Sequence, residues 1–234
     1  MKPDHLFIGT HKIEEALAAV CECGFVPGSS NRHPGQGTAN RRFFFRNLML
    51  ELLYVEDAAE AAHPRNHLLR LPQRCAAHAG AGSVAGAGAG AAPAPPISPL
   101  GVCFRPVDSA RQEPLFEAHR YTPGYLPPEL HINVASEDCP ADPLWFHLPF
   151  ATDDMVFGKQ EVEPLEHGTG VSRVTSIEVQ IASSELSVTA RIADSVPGLH
   201  VCCGDEPLLT LEFDQRQNAQ QRDFRPLLPL IMAW

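Results

Sequence analysis

The chain is poor in basic residues. Its 234 residues include 18 Lys and Arg against 28 Asp and Glu, which leaves a formal net charge of −10. Proteins that bind nucleic acid usually present a basic face, so this balance argues against a nucleic-acid partner. Long apolar runs are missing too, since none approaches the roughly 20 residues that a membrane-spanning helix needs. We therefore expect no membrane partner either.

Cysteine pairs of the kind that bind zinc or form a disulfide framework are also missing. The seven cysteines include no Cys-x-x-Cys pair. Their odd number, with no apolar signal segment after Met1, is typical of a protein in a reducing cytosol, so we expect a cytoplasmic protein. There is no Gly-x-Ser-x-Gly elbow, phosphate-binding loop or dinucleotide fingerprint, so none of the enzyme classes that those motifs mark is indicated.

The first 55 residues carry the pattern of a βαβββ unit. The apolar run His5–Gly9 predicts a strand, and apolar residues at helical spacing predict a helix over 11–23. Residues 41–46 and 48–55 predict two strands of a hairpin. A further short strand is predicted near Phe25, which completes the order β-α-β-β-β.

The remainder of the chain is predicted to be rich in strands and poor in helix. Residues 56–75 are polar and partly helical, and residues 76–96 are almost entirely Ala, Gly and Pro, which predicts a disordered linker or insertion. The apolar tail over 223–234 is broken by prolines, so we expect it to pack in extended form over the sheet or onto a partner subunit, as in a homodimer. Strands are predicted over 100–105, 144–150, 174–181, 186–192 and 208–214.

These patterns divide the chain into three parts. Residues 1–57 form a first βαβββ module, and residues 58–99 form a linker that contains the Ala/Gly/Pro-rich stretch. Residues 100–234 form a second, degenerate, strand-rich module with an extended C-terminal tail. The predicted fold class is therefore α+β.

Three segments of the first module resemble glyoxalase-like proteins of the vicinal-oxygen-chelate superfamily. They are Asp4–Gly9, His33–Thr38 with its sequence His-Pro-Gly-Gln-Gly-Thr, and Leu50–Leu53. The resemblance implies paired βαβββ modules whose strands form a cupped mixed β-sheet around a cavity. It also implies a divalent metal ion in the metal-dependent members, held by the first and last strands of each module and chelated by adjacent oxygens of a small substrate.

The resemblance implies a set of metal ligands in this chain. His5 and Glu51 would be the ligands of the first module, and Glu212 would be the ligand on the closing strand of the second. The fourth position falls within residues 174–179, where no histidine occurs. Imidazole and carboxylate donors suit Zn, Fe, Ni or Mn, and Glu51 and Glu212 would then also be the catalytic carboxylates that move protons.

Four further residues are predicted to line a substrate pocket. His33 and Gln36 lie in a glycine-rich loop that can approach a ligand closely, and Arg42 offers a planar fork for a carboxylate. His147 can supply the missing metal ligand. The same residue types also occur in tight turns, as solvated charges on strands and as hydrogen-bonded histidines in a core. A structural role therefore stays open for each of these residues beside a role in binding.

Two functions are compatible with this pattern. The first is a metal-dependent isomerase, lyase or dioxygenase that acts on a small substrate with adjacent oxygens. The second is a metal-free protein that binds or sequesters a small molecule on the same scaffold, which the missing fourth ligand favours. Fold resemblance alone does not rank them, because function depends on the site.

Overall fold

A computed structural model of the chain describes residues 1–77, 97–108, 112–151 and 163–234. Most of the predicted Ala/Gly/Pro-rich linker lies outside these residues. The strands are β1 Lys2–Gly9, β2 Arg32–His33, β3 Thr38–Phe44, β4 Met49–Val55, β5 Leu100–Arg105, β6 Ala118–Tyr121, β7 Ile132–Ala135, β8 Leu144–His147, β9 Val174–Ala182, β10 Leu199–Gly204, β11 Leu208–Phe213, β12 Gln221–Asp223 and β13 Leu230–Ala233. The α-helices are α1 Ile13–Glu22, α2 Ala58–Ala61, α3 Leu71–Ala76 and α4 Val188–Asp194, and Pro64–Leu69 and Asp214–Arg216 form 3₁₀-helices.

An eight-stranded sheet is built from two similar halves. The first half has the order β2-β3-β4-β1, with β1 parallel to β4, and the second has the order β5-β8-β7-β6, with β5 parallel to β8. Antiparallel pairing of β1 with β5 joins the halves. The sheet is mixed and curls into a half-barrel, which confirms the predicted α+β fold with a cupped sheet.

The two halves differ in their helices. In the first half, α1 connects β1 to β2, and its buried Ala16 and Val20 face the core. The helix ends at Glu22, and Gly24 follows two residues later. Its φ of +91° is a left-handed conformation that glycine adopts without steric cost. Between β5 and β6 no helix is assigned to the described residues. Within the described part of the chain, no helix has both the length and the apolar character needed to cross a bilayer.

A second, five-stranded sheet contains the C-terminal strands in the order β10-β9-β11-β13-β12. The tail strand β13 pairs with β11 in parallel, so this part of the tail is extended but lies within a sheet rather than over one. The tail lies within the main core, where Leu230 and Met232 are fully buried. Residues after position 100 therefore contribute to both sheets.

Two sequence-based predictions of strands were wrong. Residues 186–192 were predicted to be a strand, but the chain forms α4 there. Ser187 caps this helix by accepting a hydrogen bond from the Ala190 backbone N–H at 2.9 Å, and the Glu137 carboxylate accepts one from the Thr189 N–H at 2.8 Å. The strand predicted near Phe25 is not present, and β2 lies seven residues later, at Arg32–His33.

The two faces of the eight-stranded sheet have different environments. Strand residues alternate between faces, so Leu6 and Ile8 enter a core that also contains α1 and the inner face of the five-stranded sheet. Their neighbours His5 and Phe7 point to the opposite, concave face. Strand β1 thus contributes both to the core and to the wall of a cavity.

The buried tail yields a stability prediction. Replacing Leu230, which is 0% exposed, with Ala should lower the free energy of unfolding by about 2–5 kcal/mol, because a buried side chain is lost and a void remains. Leu115→Ala is the matched control, since Leu115 is 45% exposed. Chemical denaturation of both variants measures the difference. Equal stabilities of the two variants would show that the tail is not part of the core.

Candidate functional site

A cavity of about 510 Å³ lies on the concave face of the eight-stranded sheet. Residues of β1, β3 and β4 supply its polar groups, and β7 and β8 supply the apolar residues Ile132, Val134, Leu144 and Phe146, of which Phe146 lies edge-on to the His5 ring with centroids 5.4 Å apart. Five residues predicted from the sequence line this cavity together: His5, His33, Gln36, Arg42 and Glu51.

His5 is held at the bottom of the polar end by a buried ion-pair network. Its Nδ1 lies 2.7 Å from Asp4 Oδ2, and Asp4 Oδ1 lies 3.0 Å from Arg105 Nε. Burial opposes protonation of the imidazole, whereas the Asp4 carboxylate, which is hydrogen-bonded to the ring, and the Glu51 carboxylate favour it. The net effect raises the pKa of His5 well above its ordinary value. Nε2 is the ring nitrogen that Asp4 does not hold.

Glu51 supplies a carboxylate to the same cavity. It lies on β4, in register with Phe7 of β1 and Arg42 of β3, and only 8% of it is exposed. Among the described residues, its carboxylate makes no hydrogen bond or ion pair. A carboxylate removed from water without donors is costly, so this group favours a ligand that brings a hydrogen-bond donor.

Arg42 lies at the rim of the cavity, where other groups already engage it. Its Nε donates to the Ser29 carbonyl at 2.8 Å, and its guanidinium lies 3.9 Å from Glu163 Oε1 and stacks over the Phe44 ring at 5.0 Å. Although Arg42 and Glu51 are register partners, they form no ion pair with each other. The positive charge of the rim is thus largely balanced by Glu163.

A hydrogen-bond chain determines which nitrogen of His33 carries its proton. The Thr38 hydroxyl donates to Gln36 Oε1 at 2.7 Å and lies 3.0 Å from His33 Nδ1. A hydroxyl has one proton, so Thr38 must accept from His33 Nδ1–H, and Nε2 keeps a lone pair. Burial lowers the pKa of His33, so the ring is neutral and offers a proton acceptor.

Gly37, in the loop between β2 and β3, permits that loop to approach α2 closely. Gly37 has φ +75°, and an added Cβ there would lie 2.4 Å from the Ala61 backbone nitrogen. Its carbonyl accepts from the Glu56 and Asp57 N–H groups at 2.9 and 3.1 Å. Only glycine fits this position, and the contact holds His33 and Gln36 against the cavity.

Two tyrosines of the cavity were not among the predicted site residues. The proline-rich segment over 121–128 places Tyr121 and Tyr125 in the cavity wall. Tyr125 lies against the His33 ring, with centroids 5.0 Å apart, and the Tyr121 hydroxyl donates to Asn66 Oδ1 at 2.8 Å. Burial raises the pKa of both phenols. No local pattern connects this segment to the first module, so the sequence did not mark either tyrosine as a cavity residue.

His147 lies on β8 but faces away from the cavity. It is fully buried, and its Nδ1 lies 3.5 Å from Asn133 Nδ2. Burial chiefly lowers its pKa, to about 4, so it is neutral. Its neighbours Phe146 and Leu148 line the cavity instead, because adjacent strand residues point to opposite faces.

The structure does not bring Glu212 to His5 and Glu51. Glu212 lies on β11 of the five-stranded sheet, is partly exposed, and has Arg216 3.5 Å from its carboxylate. The sequence-based assignment took β11 as the closing strand of the second module. In the eight-stranded sheet that place belongs to β8, because β5–β8 complete the second half before β9 begins. Residues 174–179 lie on the five-stranded sheet for the same reason.

The donors around His5 fit a metal ion poorly. Asp4, His5 and Cys103 have ligand atoms within 4.8 Å of one another. Both Asp4 oxygens, however, are already engaged by His5 and Arg105. Burial raises the pKa of the Cys103 thiol to about 12. The closing strand of the second half, β8, brings Leu144 and Phe146 to the cavity and so adds no ligand there.

Comparisons with known proteins identify the scaffold. The model of a family described as "Glyoxalase-like domain" matches residues 4–192. A solved structure titled "Crystal Structure of a hypothetical protein from Staphylococcus aureus" is similar over 99% of this chain and 98% of that chain, with a TM-score of 0.55 and 10% sequence identity. This likeness shows the fold alone. No curated protein matches the sequence.

The raised pKa of His5 predicts a pH dependence of stability. A group whose pKa is higher in the folded state stabilises the protein fully below its unfolded pKa, and this contribution is lost as pH rises through the folded pKa. The difference in unfolding free energy between the wild type and His5→Gln should therefore shrink as pH rises from about 6.5. Denaturation at a series of pH values measures it. A difference that grows with pH would contradict the assignment.

Proposed function

The chain belongs to the glyoxalase-like domain family, and we propose that its cavity binds a small molecule with adjacent oxygen atoms and an apolar body, without a metal ion. One observation carries this proposal. Glu51, a nearly buried carboxylate without a hydrogen-bond or ion-pair partner among the described residues, lines the same cavity as His5, whose Nδ1 is held by Asp4.

The two charged groups suit two neighbouring oxygens of one ligand. The His5 imidazolium can donate from Nε2 to a carbonyl or carboxylate oxygen, and Glu51 can accept from an adjacent hydroxyl. Hydrogen bonds to charged groups are stronger than neutral ones, particularly where water is excluded. His5 thus supplies the positive charge that a metal ion supplies in metal-dependent members of the superfamily.

The apolar wall selects the rest of the ligand. Ile132, Leu144 and Phe146 line the same cavity, and burying apolar ligand surface against them contributes roughly 25 cal/mol per Å². A molecule with both features, such as an aromatic 2-hydroxy acid or the enol of an aromatic 2-oxo acid, would place its carboxylate at His5, its hydroxyl at Glu51 and its ring against these apolar residues.

A second candidate function is proton transfer on the bound molecule. The neutral His33 with an unprotonated Nε2 favours it, because the electrostatic influence of Glu51 and His5 on His33 indicates that the three groups are close. His5 would polarise the carbonyl while His33 or Glu51 removes a proton from the neighbouring carbon, as in an isomerase or lyase.

A ligand screen tests the binding proposal. Mandelate and phenylpyruvate should raise the melting temperature of the wild type more than phenylacetate, which has no oxygen on the carbon next to its carboxylate. Glu51→Gln should weaken this binding about tenfold or more, which is roughly 1.4 kcal/mol. Glu129→Gln is the control, because Glu129 is exposed and lies outside the cavity lining. Equal stabilisation by all three compounds, or by none, would refute the proposal.

Metal analysis separates this proposal from the metal-dependent alternative. The metal content of protein purified without chelators should be the same in the wild type, His5→Ala and Glu51→Ala, because no ion is held at the cavity. A stoichiometric ion that both variants lose would instead support the metal-dependent enzyme.

Isotope exchange tests the second candidate. Nuclear magnetic resonance should detect exchange of the proton next to the carbonyl of bound phenylpyruvate with deuterated solvent, faster than in free solution. His33→Asn keeps a donor for Thr38 but lacks the ring acceptor, so it should abolish the acceleration while the ligand-induced melting shift remains. Unchanged exchange in this variant would exclude His33 as the base.

A further inference from the structure

Three side chains of metal-ligating type converge on the outer face of the five-stranded sheet, away from the cavity. His200 and Cys202 are alternate residues of β10 and so share a face. Glu178 of β9 is the register partner of His200. One ligand atom of each residue lies within 4.8 Å of the other two. The group thus unites a nitrogen, a sulfur and an oxygen donor on regular strands.

A fourth residue orients the histidine of this group. Asp194, the last residue of α4, has Oδ1 3.0 Å from His200 Nδ1, and the same oxygen accepts from the Val201 N–H at 2.8 Å. Metal-binding histidines almost always engage a carboxylate or carbonyl through the ring nitrogen that does not bind the metal. Asp194 meets this requirement and leaves His200 Nε2 as the nitrogen for an ion.

The charge of the group also favours a cation. Glu178 and Asp194 carry two negative charges, and the Glu178 carboxylate forms no ion pair or hydrogen bond within the described part of the chain. The residues are partly exposed or exposed, so an ion can enter from solvent and keep a water ligand.

We propose that Glu178, His200 and Cys202 bind one zinc ion, with the fourth coordination position open to water. Thiolate, imidazole and carboxylate are the donors that zinc takes in proteins, and three protein ligands leave one position for solvent. The site lies on a different sheet from His5 and Glu51. It is therefore independent of the function proposed for the cavity.

Cobalt provides a direct probe, because a thiolate bound to Co²⁺ gives a charge-transfer band in the near ultraviolet that Zn²⁺ does not show. The reduced, metal-free full chain should develop this band with one equivalent of Co²⁺, and one equivalent of Zn²⁺ should remove it. Cys202→Ser should lose the band. Asp194→Asn should weaken cobalt binding about tenfold, as loss of such an outer carboxylate does.

Matched variants separate this site from other thiols and from the cavity. Cys203→Ser removes the adjacent cysteine, which strand alternation directs to the other face, and His5→Ala removes the cavity imidazole; both should keep the band. Circular dichroism establishes that each variant is folded. If Cys202→Ser does not fold, His200→Gln, expected to bind cobalt at least tenfold more weakly, decides the question. Absence of the band in the wild type, or its survival in Cys202→Ser, would overturn the proposal.

Discussion

The structure depends on the antiparallel pairing of β1 with β5. This seam turns two four-stranded halves into one curled sheet and places His5 in register with Cys103. The buried Asp4–Arg105 ion pair spans it, so each strand supplies the counter-charge for the other. Removing either member would leave an uncompensated buried charge. The same Asp4 holds the His5 ring, so the contact that closes the sheet also sets the charge of the cavity.

The two-residue period of the strands determines which residues are available for function. On β1, Leu6 and Ile8 fill the core that the two sheets share, while His5 and Phe7 face the cavity. A shift of one residue in register would exchange these faces and bury the imidazole in the core. Because Leu6 and Ile8 must face the apolar core, His5 must face the cavity.

Local patterns sufficed to predict β1, α1 and the β3–β4 hairpin, because these elements connect within 55 residues, but they placed the remaining strand of the module near Phe25 instead of at Arg32–His33. They did not suffice for Glu212, since the choice of the closing strand depends on which distant strands pair. The strand predicted over 186–192 was wrong for a related reason. The composition of these residues suits a strand, but Glu137, 52 positions away, holds the start of a helix through the Thr189 N–H. Local sequence patterns pointed to four cavity residues because these residues lie in the first module, whose elements follow one another closely along the chain. They are His33, Gln36, Arg42 and Glu51.

The two halves of the eight-stranded sheet contribute different residues to the cavity. Both halves follow one strand order, yet β1 and β4 bring His5 and Glu51 to the cavity, whereas β7 and β8 bring Ile132, Leu144 and Phe146. A symmetric pair of histidine and carboxylate sets would offer metal ligands from both halves. On the proposed function, the asymmetry would instead let the cavity distinguish the two ends of a ligand, because Asp4 at the seam orients His5 toward the ligand oxygens while β7 and β8 offer apolar surface.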